Sequence, residues 1–233
     1  MRAWVDDFGP LGYEMEVLVN CQPIKEYPHR RDGKTYVEGR RGSEFTLRIR
    51  NNNLEKVLAV VSVDGLSVLD GKTASFNSGG YVIGPRSYVD IKGWRLDNRD
   101  VAKFFFSQLE ASYAAQMDKP QNIGVIGCAI FKEKPKLFDY SALYDFIQRD
   151  HNMKRSYNYD SPTKGSGDLE RFSVKTLSAG PSRSIGTGFG QRVRDEVRTV
   201  VFDRRDNPAA TFEIHYAERE DLIRYGIDLN SRP

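Results

Sequence analysis

Gly71-Lys72-Thr73 closes the stretch Val63-Asp-Gly-Leu-Ser-Val-Leu-Asp-Gly-Lys-Thr73, and Gly-Lys-Thr is what nucleotide-binding loops use to cradle phosphate. Such a loop needs four residues between its first glycine and the Gly-Lys-Thr, fed by a strand and followed by a helix. Here Gly65 and Gly71 enclose five residues, Leu66 to Leu69 has strand character, and Lys72 to Gly80 has the composition of coil. Asp64-Gly65 and Asp70-Gly71 are therefore expected to be turns, because glycine takes positive φ at little cost. Ile185-Gly-Thr-Gly-Phe-Gly190 fails as a dinucleotide fingerprint for a related reason: Gln191 stands where the third glycine is required, and no βαβ pattern surrounds it. Its small residues suit a bulge or a close backbone approach beside a sheet.

Other chemistry is thinly represented. Cys21 and Cys128 are too few for a disulfide framework or a structural zinc site, and His29, His151 and His215 lack metal-like spacing. Cys128, inside the apolar run Ile123 to Phe131, is expected to be a buried free thiol. Carboxylates cluster at Asp6-Asp7, Asp195-Glu196 and Glu218, Glu220 and Asp221, but acid–base work needs two of them at a defined separation in a cleft, which spacing does not supply. No G-x-S-x-G elbow is present. No cofactor, metal site or catalytic set is expected.

The densest feature is Gly80-Tyr-Val-Ile-Gly-Pro-Arg-Ser-Tyr-Val-Asp-Ile-Lys-Gly-Trp-Arg95. Tyr81, Tyr88, Trp94 and Arg95 could form a stacking platform for a sugar or a hot spot for a protein partner. Alternatively Gly84-Pro85 turns the chain and the aromatics fill the core.

The elements that would position these residues are mostly strands. Tyr13 to Cys21, Phe45 to Arg50, Lys56 to Val63, Gly80 to Ile83, Tyr88 to Trp94, Val101 to Phe106 and Ile123 to Phe131 are short runs with alternation or β-branched enrichment, separated by turn formers. Phe45-Thr-Leu-Arg-Ile-Arg50 predicts one inward and one wet face, and the continuous run from Lys56 to Val63 a strand covered on both. Leu137 to Arg149 has helical spacing, and residues 150–171 the composition of a long polar loop. Val197 to Phe202 and Thr211 to Tyr216, joined through Asp206-Asn-Pro-Ala, predict a hairpin. Asp221 to Gly226 predicts a terminal helical turn stopped by glycine. The expected architecture is all-β: one β-sandwich or jelly-roll-like domain of about eight or nine strands over 1–233. A helix-plus-loop insertion at 134–183 and an N-terminal arm at 1–12 complete it.

With 233 residues the chain can bury a core without staples, and its formal charge of +3 comes from signs interspersed along the chain, so nothing calls for a nucleic-acid partner. The start lacks the apolar run of a secretion signal and no stretch reaches the length of a membrane span, so synthesis in a reducing cytoplasm without a membrane partner is expected.

Val61-Ser-Val-Asp-Gly-Leu-Ser-Val68, Gly80-Tyr-Val-Ile-Gly-Pro85, Ile91-Lys-Gly-Trp-Arg95 and Gly186-Thr-Gly-Phe-Gly190 together resemble a family of uncharacterised β-rich proteins found in bacterial and viral genomes. The resemblance covers roughly residues 40–132 and 184–226. It implies a single β-rich domain with a variable insertion and no assigned activity. The expected function is that of a non-enzymatic virion component, a bacteriophage capsid, decoration or tail accessory protein made in the host cytoplasm. Its polar extensions at 1–12, 22–42 and 150–171 would drape over other virion proteins or copies of itself. The alternative is a carbohydrate-binding β-sandwich module using Tyr81, Tyr88 and Trp94.

Overall fold

In a computed structural model of the chain, the structure describes residues 12–116, 122–135 and 184–230. The expected helix at 137–149, the polar loop at 150–171 and all but the last residue of the expected arm at 1–12 lie outside them. Strands dominate: β1 (Tyr13–Val19), β2 (Gln22–Pro23), β3 (Glu26–His29), β4 (Lys34–Glu38), β5 (Glu44–Asn51), β6 (Val57–Val63) and β7 (Leu66–Ser67), then β8 (Tyr81–Ile83), β9 (Ser87–Ile91), β10 (Gly93–Arg95), β11 (Asp100–Gln108), β12 (Val125–Lys132), β13 (Ile185–Arg194) and β14 (Ala210–Ala217). Two short helices, α1 (Tyr113–Gln116) and α2 (Arg219–Tyr225), accompany them. The fold is mostly β, as expected, with more and shorter strands than the composition suggests. All the strands among the described residues belong to one of the two compact units into which the chain divides, Met1–Glu133 with Val174–Pro233.

The strands form two seven-stranded sheets. The first runs β10-β11-β5-β1-β2, with β13 beside β11 and β9 beside β5; the second runs β3-β4-β14-β12-β6-β7, with β8 beside β6. Among the described residues, the pairing of β14 with β4 is the parallel exception in an antiparallel set.

Local sequence explains most of this. β5 alternates as its sequence predicts: Phe45, Leu47 and Ile49 face inward and are buried, while Arg48 and Arg50 stay partly solvated. β6 is buried on both faces. Val57, Ala59, Val61 and Val63 join the main apolar cluster, and Leu58 and Val60 meet Ala129 and Phe131 on the other side, under Phe76 and Phe202. The main cluster draws on inward faces of both sheets, Tyr13, Leu47, Trp94 and Phe104 from the first and Val61, Ile83, Ile126 and Tyr216 from the second. Cys128 is buried within it as a free thiol, and desolvation pushes its pKa up.

Asp64-Gly65 is the two-residue link between β6 and β7, with φ of 52° and 77°, the pair of left-handed conformations that a tight hairpin turn requires. No helix begins at Lys72; residues 68–70 form a turn, 71–72 a bend, and Thr73 bridges back to Leu66, so the Gly-Lys-Thr is punctuation in a β-fold. The terminal helical turn is present as α2, and Gly226 stops it at φ 95°.

Two expectations are corrected. Residues 22–42 are not a draping arm: β3 and β4 fold onto the second sheet, because β14 offers β4 a parallel partner from Thr35 to Glu38 and Tyr36 and Val37 bury completely. The predicted hairpin of 197–202 with 211–216 does not form either. β14 pairs with β12 and β4, and residues 195–203 join no sheet. The turn at Asp206-Asn-Pro-Ala fails to reverse the chain because β12 accepts on both sides of it, from Arg205 N–H at the Lys132 carbonyl (2.9 Å) and from Ala209 N–H at the Ile130 carbonyl (2.7 Å).

Two glycines of the dense 80–95 stretch differ sharply in their surroundings. A Cβ on Gly93 would lie 2.0 Å from the Ala102 carbonyl oxygen, whereas one on Gly84 would meet nothing closer than 4.0 Å. Gly93→Ala is expected to lower stability by about 1–3 kcal/mol through overpacking against backbone, and Gly84→Ala to stay within about 0.5 kcal/mol of the parent. Denaturant midpoints of the two variants check this.

Candidate functional site

The four residues singled out in the 80–95 stretch do not share a face. Trp94 on β10 is 2% exposed, packs edge-on against Phe104 (5.2 Å between ring centroids), and donates from Nε1 to the Gly188 carbonyl (3.1 Å). Gly188 permits this approach: a Cβ there would sit 2.3 Å from the Phe105 ring. The Gly186-to-Gly190 stretch is thus the close-contact strand β13, opposite an irregularity in β11 between Ala102 and Phe104. Tyr81 is buried as well, and its hydroxyl accepts from the Arg95 guanidinium (3.1 and 3.3 Å). Tyr88 alone is open, half exposed on β9, with the Arg48 guanidinium 4.4 Å from its ring centre and Arg50 at 5.2 Å. Arg48 in turn donates two hydrogen bonds to Asp90 (2.7 and 2.8 Å). Trp94 and Tyr81 have taken the core-filling alternative.

Arg95 has a different task. Its side chain, 7% exposed, reaches Asp195 at the end of β13, donating to the Oδ2 carboxylate oxygen (2.5 Å) and to the Asp195 carbonyl, while Lys92 Nζ holds Oδ1 (3.0 Å). It anchors the start of the segment that leaves the first sheet.

Two polar clusters that spacing did not reveal are more tightly built. The first centres on Asp64. One carboxylate oxygen accepts from Tyr216 Oη (2.6 Å) and Gly124 N–H (2.8 Å), the other from Thr187 N–H (2.7 Å), and Thr187 Oγ1 lies 2.8 Å from Tyr216 Oη. Burial pushes Asp64 up to about 6, against the pull of these donors, and it pushes Tyr216 well above the ordinary tyrosine range. The second centres on Asp32, between β3 and β4. It accepts from Tyr36 Oη (2.6 Å), Tyr225 Oη (2.9 Å) and Lys34 N–H (3.1 Å), with His29 Nδ1 at 3.0 Å. Burial alone would raise Asp32; the donors outweigh it and hold the carboxyl well below its usual range. His29 and His215 flank Tyr36, at 6.0 and 5.3 Å between ring centroids.

An aspartate that orients an imidazole is half of an acid–base device. Among the described residues, however, the polar partner of His29 is Asp32, and the flanking Tyr36 and Tyr225 are held protonated because burial and the nearby carboxylate raise both. The cluster ties the β3–β4 turn to α2. Beside it, a pocket of about 390 Å³ is lined by Asn20, Gln22, Tyr27, Glu38 and Arg40 among others, and its carboxylate Glu38 is paired with Arg40 (3.1 Å) and Arg219 (3.0 Å). Among the described residues, no three His, Cys, Asp or Glu side chains are placed to hold a metal ion, and no helix is long and apolar enough to cross a membrane. Comparison of the chain with protein-family models, curated proteins and solved structures finds no match.

The two aspartates impose opposite pH slopes on stability. Asp64 keeps its proton in the folded state up to about 6 while an unfolded aspartate releases it near 4, so stability falls as pH rises through that window. Asp32 stays ionised when the unfolded chain takes up a proton, so its contribution is lost as pH drops below about 4. Asp64→Asn is expected to abolish the fall between about pH 4 and 6, and to cost about 1–3 kcal/mol, since one amide oxygen cannot satisfy donors that now use two carboxylate oxygens. Asp32→Asn should flatten the acid limb. Denaturant midpoints measured across pH for each variant separate the two effects.

Proposed function

We propose that this chain is a non-enzymatic structural protein that works through protein–protein contacts, as a capsid, decoration or tail accessory component of a virion, assembled after synthesis in the host cytoplasm. We take the two sheets, which contribute to one apolar cluster, as the layers of a β-sandwich. The observation that carries the reading is the segment between β13 and β14. Its first part, residues 195–203, runs without a turn or bend and exposes Val200 and Val201, and both ends of the segment are fastened to the sheets, a form suited to receiving a neighbouring chain. The resemblance to uncharacterised β-rich proteins of bacterial and viral genomes, which carries no assigned activity, is what suggests a virion as the assembly. A carbohydrate-binding role would have to rest on Tyr88, since Trp94 and Tyr81 are buried.

Particles purified from the producing host are expected to contain the protein at a fixed ratio to the major shell or tail protein, measured by quantitative mass spectrometry. Its absence from washed particles overturns the reading. Glycan-array binding that Tyr88→Ala abolishes would favour the carbohydrate alternative.

A further inference from the structure

Residues 197–202, Val-Arg-Thr-Val-Val-Phe, have the composition of a strand. The chain passes through them without a turn or bend, yet they belong to no sheet. Both ends of the segment are fixed. Asp195 N–H donates to the Arg99 carbonyl (2.6 Å) and Val197 N–H to the Asn98 carbonyl (2.9 Å). At the far end Arg205 N–H donates to the Lys132 carbonyl (2.9 Å), and Arg204 donates to the Phe76 carbonyl and to Asn77 Oδ1 (2.8 Å). Between these anchors, among the described residues, the backbone of 198–202 makes no hydrogen bond, and Val200 and Val201 are 60% and 98% exposed. An extended edge of this kind is a template for another strand.

Two constraints select the partner and the register. The first is parity. In an extended chain successive N–H groups point to opposite edges; those of 195, 197 and 205 point to the protein's own acceptors, so the outward edge carries the N–H groups of the even-numbered residues. An antiparallel partner of identical sequence must then oppose even to even. The second is charge. The segment reads Arg194-Asp-Glu-Val-Arg-Thr-Val-Val-Phe-Asp-Arg-Arg-Asp206. With Val200 opposite Val200, Glu196 faces Arg204, Asp195 faces Arg205 and Arg194 faces Asp206, three pairs of opposite sign with no like-charged pair, while Asp203 faces Val197. The neighbouring even registers fail: one sets Arg198 against Arg204 and Glu196 against Asp206, the other Asp195 against Asp203 and Arg194 against Arg204.

We propose that residues 198–202 pair antiparallel with the same residues of a second copy of this chain, about a two-fold axis at Val200. This rests on the reading of the chain as an assembly component and makes its partner specific. Val200 exchanges both backbone hydrogen bonds with its copy, Arg198 lies opposite Phe202, and Thr199 lies opposite Val201. The contact is isologous and closes at two chains.

Sedimentation of the purified full chain is expected to show a dimer. Val200→Pro deletes the N–H at the axis, which has no partner within the chain, so it should yield a folded monomer whose melting temperature, unlike the parent's, does not change with protein concentration. In a Cys21→Ser background, Val200→Cys places two thiols on Cα atoms about 5.5 Å apart, within disulfide reach, and mild oxidation should link the dimer. Arg198→Cys lies about 13 Å along the strand from its own copy and should not link. The proposal is overturned if Val200→Pro leaves the dimer intact, if positions 198 and 200 cross-link equally, or if the parent chain is a monomer at all concentrations. A monomer still found in particles overturns this pairing and leaves the assembly reading standing; a dimer absent from particles does the reverse.

Discussion

The Asp64 carboxylate is the constraint on which the rest of the architecture depends, because its donors come from both sheets. Thr187 lies on β13 of the first sheet, whereas Asp64, Gly124 and Tyr216 belong to or border β6, β12 and β14 of the second. Apolar packing between sheet faces is non-directional and would tolerate a slide of one sheet over the other. A buried carboxylate with three fixed donors does not, since any slide strands a polar group in a medium that penalises it. The turn that carries Asp64 has the left-handed geometry of a tight hairpin, so the same two residues reverse β6 into β7 and aim the carboxylate inward.

The segment 195–203 leads from β13 of the first sheet toward β14 of the second. Arg95 holds its start through Asp195, and Arg204 holds its end against the loop at Phe76 and the Phe131 ring, which the guanidinium faces at 4.8 Å. Both are buried or half-buried cations satisfied by carbonyl and carboxylate oxygens, a stronger class of contact than the surface ion pairs of the outer faces. The crossing is therefore fastened where it touches the sheets, Phe202 packs against the second of them, and the backbone of 198–202 between the anchors makes no hydrogen bond among the described residues. The pairing proposed at Val200 would use that combination, because a strand already extended gives up little conformational freedom when it gains a neighbour.

What the sequence reveals depends on how far a residue's partners lie along the chain. The alternation of β5 and the two-sided burial of β6 are legible because period and apolar run are local properties. The turns at Asp64-Gly65 and Gly226 are legible for the same reason. The function of Asp64 is not, since its donors lie 60, 123 and 152 residues away. Nor could spacing tell that Arg95 would meet Asp195, or that His29 and His215 would flank one tyrosine. The hairpin at Asn20-Cys21 has the same left-handed geometry as that at Asp64-Gly65, with φ of 52° and 64°, but without the glycine that would announce it. The polar stretch 22–42 was disguised by its charges; Tyr36-Val37, flanked by Thr35 and Glu38, was the apolar signal within it.

The most informative disagreement is at 197–202, where composition predicts a strand and the single chain supplies no ladder. Propensity for a strand reflects fitness for a pleated, partnered surface more than a preference of the isolated backbone. A segment that keeps that composition while standing outside every sheet is a local choice at odds with the fold around it, and such conflicts gather at functional positions. The usual protections of an exposed edge, a proline, a bulge or an inward charge, are missing between Arg198 and Phe202. Apart from Arg198, charge lies on the flanks, and in the register centred on Val200 it sets three pairs of opposite sign against each other, 194 with 206, 195 with 205 and 196 with 204. Flanking charge that merely kept copies apart would carry one sign; mixed charge that meets its opposite in one register and its like in the neighbouring ones is what the proposed pairing would use to fix partner and register.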